Sequence, residues 1–454
     1  MESIPVRSWV GPAGLPLVGH LPAYLRDRLG FLVRCAADYG EVVPLRIGPP
    51  TWLLTSPDDI RHVLVTRQDR YVKSVRIRGR GARRALGSGL LTSTGAEHRQ
   101  FRRLLQPVFH RTLTASLAST ISAAATETVA AWTDGATLDV SRAMRELAQR
   151  VMIESLLGRD GHTEPLARAV TSRRRYYEHL LTATLPFPHY QPTRARREYP
   201  KAQAVIDEVL AGALRTRRAA GDASVDLLAM LCAVRDAEGA GMSDAQVRDE
   251  VLTFLDTGYE TISVALAWTC LLLSQHSDCQ RRLADEVRGV IGDRVPSGAD
   301  VPALRYTGLV ISEALRLYPP TWMFVRIVSA DDTLPSGAPM AVGDKLILCP
   351  YIPQHDARHF PEPERFVPER FERGADPGRP IFSYFPFGGG PHTCIGEPFA
   401  RMECAIVLAA IAQRFVLAPD PGQHVTLEAG TALRPRPGVR VRLAAVGAGS
   451  LQSS

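Results

Sequence analysis

In the run Phe387-Gly388-Gly389-Gly390-Pro391-His392-Thr393-Cys394-Ile395-Gly396, a cysteine follows a glycine-rich turn and precedes an apolar stretch of helical period. A cysteine so placed stands at a helix N-terminus, where unpaired backbone N–H groups and the macrodipole favour its thiolate. The glycines remove side chains where something flat and bulky must approach the backbone. Thiolate is one of the few protein ligands that can hold haem iron while leaving the opposite face open, and its electron donation favours O–O cleavage. The same residues also suit a buried free cysteine in a Gly-rich turn, the usual fate of a lone intracellular cysteine.

A second run, Thr257-Gly258-Tyr259-Glu260-Thr261, lies inside an otherwise apolar helical stretch. Glycine is costly in mid-helix, and an acid beside a hydroxyl in a buried segment needs a reason. A locally kinked core helix with Thr261 bonding back to a carbonyl would also account for it. Glu313 and Arg316 stand three apart among Val310, Ile311, Leu315 and Leu317, which places an ion pair on a buried helical face and asks for a further partner; Arg370 is the candidate. His98 and Arg102 fall one turn apart on one face, as they also would on an ordinary basic helix.

In this order along the chain, the runs resemble the cytochrome P450 family. Its haem loop reads Phe, two residues, Gly, one residue, Arg or His, one residue, Cys, one residue, Gly, and every fixed position is matched by Phe387, Gly390, His392, Cys394 and Gly396. The resemblance implies haem b with Cys394 as metal ligand. It implies an oxygen-binding groove in which Gly258 leaves room for dioxygen while Thr261 and Glu260 deliver protons. It further implies that His98, Arg102 and Arg326 hold the haem propionates, and that Glu313, Arg316 and Arg370 brace the haem loop. Residues near Met323 and Phe324 would face the substrate. Two positions depart from the pattern: Thr257 replaces the usual Ala or Gly, and His355 stands where Arg is common.

The elements that must position these residues follow from composition and period. A chain of 454 residues with 45% hydrophobic content can bury a large core. Helix formers dominate from about 113 to 317 and strand-like runs gather near both ends, so the expected fold is mainly α with a small β-rich part, the cytochrome P450 fold, as a single domain over 1–454 with flexible 1–10 and 447–454. Period and punctuation predict a helix over 24–39, a hairpin of 41–47 with 51–55, and a following helix capped by Ser56. They predict a loop over 71–93 and helix breaks at 134–137, 158–163 and 186–192. The capping box Ser243-Asp244-Ala245-Gln246 starts a proline-free helix to about 274. A strand follows Pro319-Pro320, a helix covers 398–415, and a strand pair ends near 441. Arg173-Arg174-Arg175-Tyr176-Tyr177 reads as a solvated helix face, since its charges are consecutive rather than on one side.

The net charge of +7 is spread along the chain without a nucleic-acid motif, which argues against nucleic acid and for an acidic protein partner on a basic face near Arg99, Arg103 and Arg401. Seven cysteines without C-x-x-C or zinc spacing indicate reduced, cytoplasmic thiols. The first ten residues lack an apolar anchor, so a monomer without a membrane anchor is expected.

The expected activity is that of a haem-thiolate monooxygenase that inserts one oxygen atom of O2 into a C–H bond of a lipophilic small molecule. Its electrons would come from NAD(P)H through a separate ferredoxin and ferredoxin reductase, no sequence being left for a flavin domain or iron–sulfur cluster. Trp322, Met323 and Phe324 suggest a lipophilic pocket. Similarity to bacterial terpene oxygenases of secondary metabolism points to a sesquiterpene such as pentalenene, oxidised at a methyl group. A macrolide, polyketide or fatty acid is the alternative substrate. A peroxide-driven peroxygenase or a non-catalytic haem sensor are the alternative functions, the first disfavoured by Glu260 and Thr261 and the second by the lack of a visible output domain.

Overall fold

The computed structural model describes residues 9–109, 111–159, 163–182, 192–220, 226–235 and 239–447. The expected break at 186–192 falls almost wholly outside these residues, as do most of the two termini expected to be flexible. The chain packs as two compact units.

The first unit comprises the segment up to Arg78 together with 321–365 and 376–394. Its centre is a five-stranded sheet. The hairpin Val42–Arg46 and Pro50–Leu54 pairs Val42 with Leu54 and Arg46 with Pro50. Lys345–Leu348 joins it in parallel, and the antiparallel strands Phe324–Val328 and Tyr71–Lys73 complete the order. One apolar cluster includes Leu54, Tyr71, Val328, Leu346 and Leu348 from the sheet, with Ile60, Val63, Leu64, Phe382 and Phe385 against them.

Three local expectations are corrected here. The helix over 24–39 is two helices, Leu21–Arg26 and Arg28–Tyr39, because Asp27 leaves helical geometry (φ −154°) and caps the second by accepting from Gly30 N–H. Ser56 occupies the N-cap of Pro57–Arg61, but its hydroxyl makes no capping bond; Pro57, which has no N–H to satisfy, opens the helix. The loop expected over 71–93 holds the strand Tyr71–Lys73 and the helices Val75–Arg78 and Arg80–Leu86. The strand is three residues long and exists through pairing with Phe324–Val328, some 250 residues later, which no local pattern announces.

The second unit, Gly79–Pro320 with Phe366–Ala375 and the chain beyond Ile395, is largely helical. The long helix Asp244–Gln275 runs through it for 32 residues, about 48 Å at 1.5 Å per residue. Both bonds of its capping box are present: the Ser243 hydroxyl accepts from Gln246 N–H, and the Gln246 side chain accepts from Ser243 N–H. Most of its residues are buried, so its stability comes from packing on every side rather than from one amphipathic face. Near its end, Trp268 stacks on Tyr318 with centroids 4.0 Å apart and donates its indole N–H to the Leu433 carbonyl at 2.8 Å. Among the described residues no helix is long and apolar enough to cross a membrane.

Glu313 and Arg316, on the helix Arg305–Leu317, are wholly buried and form a two-pronged pair at 2.7 and 2.9 Å. Glu313 also accepts from Val367 N–H at 3.0 Å, and Arg370 approaches it to 3.4 Å. Removing one partner of such a pair leaves a buried charge uncompensated. Glu313→Ala should therefore lose about 3–5 kcal/mol of stability in urea unfolding. The double substitution Glu313→Leu with Arg316→Met should recover most of that loss; a Glu313→Ala protein as stable as the parent would refute the argument.

Candidate active site

The cysteine loop belongs to the first unit and is fixed by its glycines. Gly388 and Gly390 have φ of +74° and +66°, which other residues rarely adopt. A Cβ on Gly390 would lie 1.9 Å from the Leu64 carbonyl oxygen, and one on Gly389 would lie 2.4 Å from the Phe382 ring. Two backbone bonds close the loop, Thr393 N–H to the Gly390 carbonyl at 3.0 Å and Cys394 N–H to the Phe387 carbonyl at 2.9 Å. His392 ends the short 3-10 turn Gly390–His392. Gly396, two residues beyond the cysteine, is the N-cap of the helix Glu397–Arg414.

Cys394 is the one exposed cysteine of the seven. Burial pushes the thiols of Cys270 and Cys349 up to about 12, which makes them inert. The sulfur available for chemistry is therefore the one that the glycine loop presents.

Arg326, on the strand Phe324–Val328, is 8% exposed and has no carboxylate beside it among the described residues; it donates to the Val325 carbonyl at 3.1 Å. Desolvation pushes its guanidinium down to about 10. A buried cation without a counter-charge is costly, and it calls for an anion from outside the chain. Lys73, also buried, sits directly opposite Arg326 in the antiparallel register. This second cation was hidden within the stretch read as loop; the signal would have been the alternation of Tyr71, Val72 and Lys73, too short to stand alone. An exposed thiol and a buried, unneutralised guanidinium suit a group that carries both a metal and carboxylates, so the residues present fit haem.

In the second unit His98 is buried and Arg102 partly so, four apart on the helix Gly95–Leu105. On the long helix the Thr261 hydroxyl donates to the Thr257 carbonyl at 3.3 Å, and the Thr257 hydroxyl donates to Thr253 at 2.7 Å. The Cβ direction of Gly258, expected to leave room for dioxygen, is filled by Met152 of the helix Val140–Leu157, whose Cε lies 2.2 Å from where a Cβ would stand. Gly258 thus serves close helix packing on that side.

Glu260 is buried and bonded to Arg434 at 2.5 Å, with Arg174 at 3.9 Å. Arg434 also binds Glu178 at 2.6 and 3.1 Å. Arg173 donates twice to Asp256 of the long helix, at 3.1 and 2.9 Å, and both are about 1% exposed. The solvated face expected for Arg173 and Arg174 is therefore wrong for these two residues. Neighbours on a helix lie 100° apart and can share one broad buried face, and their acids stand some 80 residues later. Trp322 is buried and Phe324 packs on Phe385 and against Gly388, while the Met323 sulfur accepts from Tyr24 OH at 3.5 Å. His355 stacks on Tyr351 and bonds its carbonyl at 2.7 Å.

The Met152 contact gives a direct test. In Gly258→Ala the flexible end of Met152 must shift, which offsets the roughly 1 kcal/mol that alanine gains in mid-helix. Stability should therefore change by less than about 1 kcal/mol, and the same substitution should be more favourable when made in a Met152→Ala background. Thermal unfolding of the single and double variants decides it: additive effects would show that the two residues do not share the space.

The chain matches the Cytochrome P450 family model over residues 10–442. It is 36% identical over 445 residues to cyclooctatin synthase of Streptomyces melanosporofaciens, covering 95% of this chain and 93% of that protein. It is 31% identical over 441 residues to pentalenene oxygenase of Streptomyces avermitilis, covering 96% of each. A solved structure, retinoic acid bound cyanobacterial CYP120A1, superposes with a TM-score of 0.86 at 25% identity, covering 97% of this chain and all of that one. With the family's pattern over nearly its whole length, and with relatives above 30% identity spanning more than nine-tenths of it, the protein belongs to the cytochrome P450 family of haem-thiolate monooxygenases.

Proposed function

We propose that this monooxygenase hydroxylates an unactivated C–H bond of a terpene in secondary metabolism, with Cys394 as the thiolate ligand of haem b. The observation that carries the reading is the exposed thiol of Cys394, on a glycine loop packed closely against Leu64 and Phe382, in the same unit as the buried Arg326, which has no carboxylate beside it among the described residues. Haem bound by thiolate supplies the activation of dioxygen. The chain's residues do the rest. Arg326, His98 and Arg102 would neutralise the propionates. Thr261, whose bond to Thr257 is long at 3.3 Å, can turn its hydroxyl toward a ligand at little cost. Glu260 would take part with Thr261 in proton delivery, its carboxylate kept in place by Arg434.

The substrate class rests on relatives whose names state theirs, pentalenene oxygenase and cyclooctat-9-en-7-ol 5-monooxygenase, the latter 34% identical over 441 residues. We favour a terpene with pentalenene as the first compound to try. Electrons would arrive from a ferredoxin and its reductase at a basic face. Arg99 and Arg103 are exposed, whereas Arg401 is partly covered and paired with Glu397 at 2.9 Å, so the first two would carry most of the attraction.

Cys394→Ala should abolish turnover and the red-shifted thiolate-type Soret band of the reduced, carbon-monoxide-treated protein; wild-type turnover by this variant would refute the ligand assignment. Thr261→Ala should consume NADPH while releasing hydrogen peroxide in place of product, measured as the ratio of peroxide to NADPH against the parent. A spectral titration against terpene, macrolide and fatty-acid panels identifies what occupies the pocket, and tight binding of macrolides alone would overturn the terpene reading.

A further inference from the structure

His62–Thr66 forms a single π turn at the end of the helix Pro57–Arg61, closed by Arg67 N–H donating to the His62 carbonyl at 2.8 Å. Such single π turns are rare and recur at functional sites. The inner side of this one meets the cysteine loop. The Gly390 backbone lies so close to Leu64 that a Cβ would stand 1.9 Å from its carbonyl oxygen and 3.4 Å from the Val65 Cα, and a Cβ on Gly389 would stand 3.7 Å from the Leu64 side chain.

The outer side is held by a polar cluster. His62 Nε2 lies 2.9 Å from Asp332 Oδ2, and the same oxygen accepts from Tyr71 OH at 2.9 Å. Arg70 stands 3.6 Å from the other carboxylate oxygen. The His62 and Tyr71 rings meet edge to face at 6.3 Å. Asp332 is largely buried, with 8% of its side chain exposed. Between the cluster and the loop, Leu64 is buried beside Phe382, the ring that fills the space before Gly389. Packed contacts thus run from the cysteine loop through Leu64 to the turn that carries His62 and its carboxylate partner.

We propose that Asp332 is a positioning residue for Cys394: through His62 and the π turn it fixes how far the loop, and with it the sulfur, can move from the haem iron. The proposal rests on Cys394 being the iron ligand. Nothing in it requires Asp332 or His62 to touch haem or substrate.

The holoenzyme with Asp332→Ala, and separately with His62→Leu, should lose its thiolate-type Soret band roughly three- to tenfold faster than the parent after reduction under carbon monoxide, the range expected from one or two lost hydrogen bonds. Its reduction potential should shift in the same variants. Asp332→Asn, which keeps an acceptor of the same shape, should restore most of the lifetime, and Tyr71→Phe should have the smaller effect, since it removes one bond and leaves His62 held. Urea unfolding of each variant separates this from a general loss of stability. If band lifetime and potential stay at parental values while only the unfolding midpoint falls, the residue is merely structural and the proposal is overturned; it is equally overturned if Asp332→Ala changes nothing. Absence of the thiolate-type band in the parent would instead overturn the ligand assignment itself.

Discussion

A sulfur that is to bind a metal from a loop must be reachable and immobile at once, and for Cys394, the proposed ligand, backbone-on-backbone contact serves both demands. The Gly390 carbon and the Leu64 carbonyl approach more closely than any residue with a side chain would allow. The loop therefore gains dispersion contacts along its main chain, where displacement is stiffest, instead of along side chains that can rotate away. Cys394 stays exposed because its anchor lies four residues upstream. The price of that arrangement is two glycines in left-handed geometry, whose unfolded-state entropy must be offset by the apolar cluster under the loop.

Charge burial separates structure from function in this chain. Glu313 with Arg316, Arg173 with Asp256, and Glu260 with Arg434 are each neutralised within the fold, so their desolvation is balanced by their own partners. Among the described residues Arg326 has no carboxylate beside it. A prosthetic group with carboxylates would supply the missing anion on binding, and under the proposed assignment loading the cofactor would stabilise the protein through Arg326 as well as through Cys394.

Much of this was legible in the sequence because its signals are local. The cysteine loop, the capping box of the long helix and the Glu313–Arg316 spacing each fit within ten residues; the structure forms the capping box and the buried pair, and it places Cys394 after a glycine turn, two residues before the cap of the next helix rather than at its first turn. What stayed hidden is non-local. Tyr71–Lys73 becomes a strand only against Phe324–Val328, and Arg173 is buried only because Asp256 waits on another helix. Met152 could not be foreseen before Gly258 either, since a glycine reports that something comes close and never what. Period and composition speak to the face of one element, and these contacts are properties of two.

The same distinction bears on the polar residues of the long helix. Asp256 and Glu260 are four apart, so both point from one side, and both find arginines there. Thr257 and Thr261, also four apart, lie one residue round from them and, among the described residues, are bonded only to carbonyls of their own helix. The acids thus fasten the helix to its neighbours while the hydroxyls bond to no other described element. Glu260 belongs to the fastening set. Its carboxylate shares Arg434 with Glu178 and lies 3.9 Å from the buried Arg174, so two acids and two arginines form one cluster that ties the long helix to its neighbours. Removing any one charge of that cluster leaves another buried without its full complement.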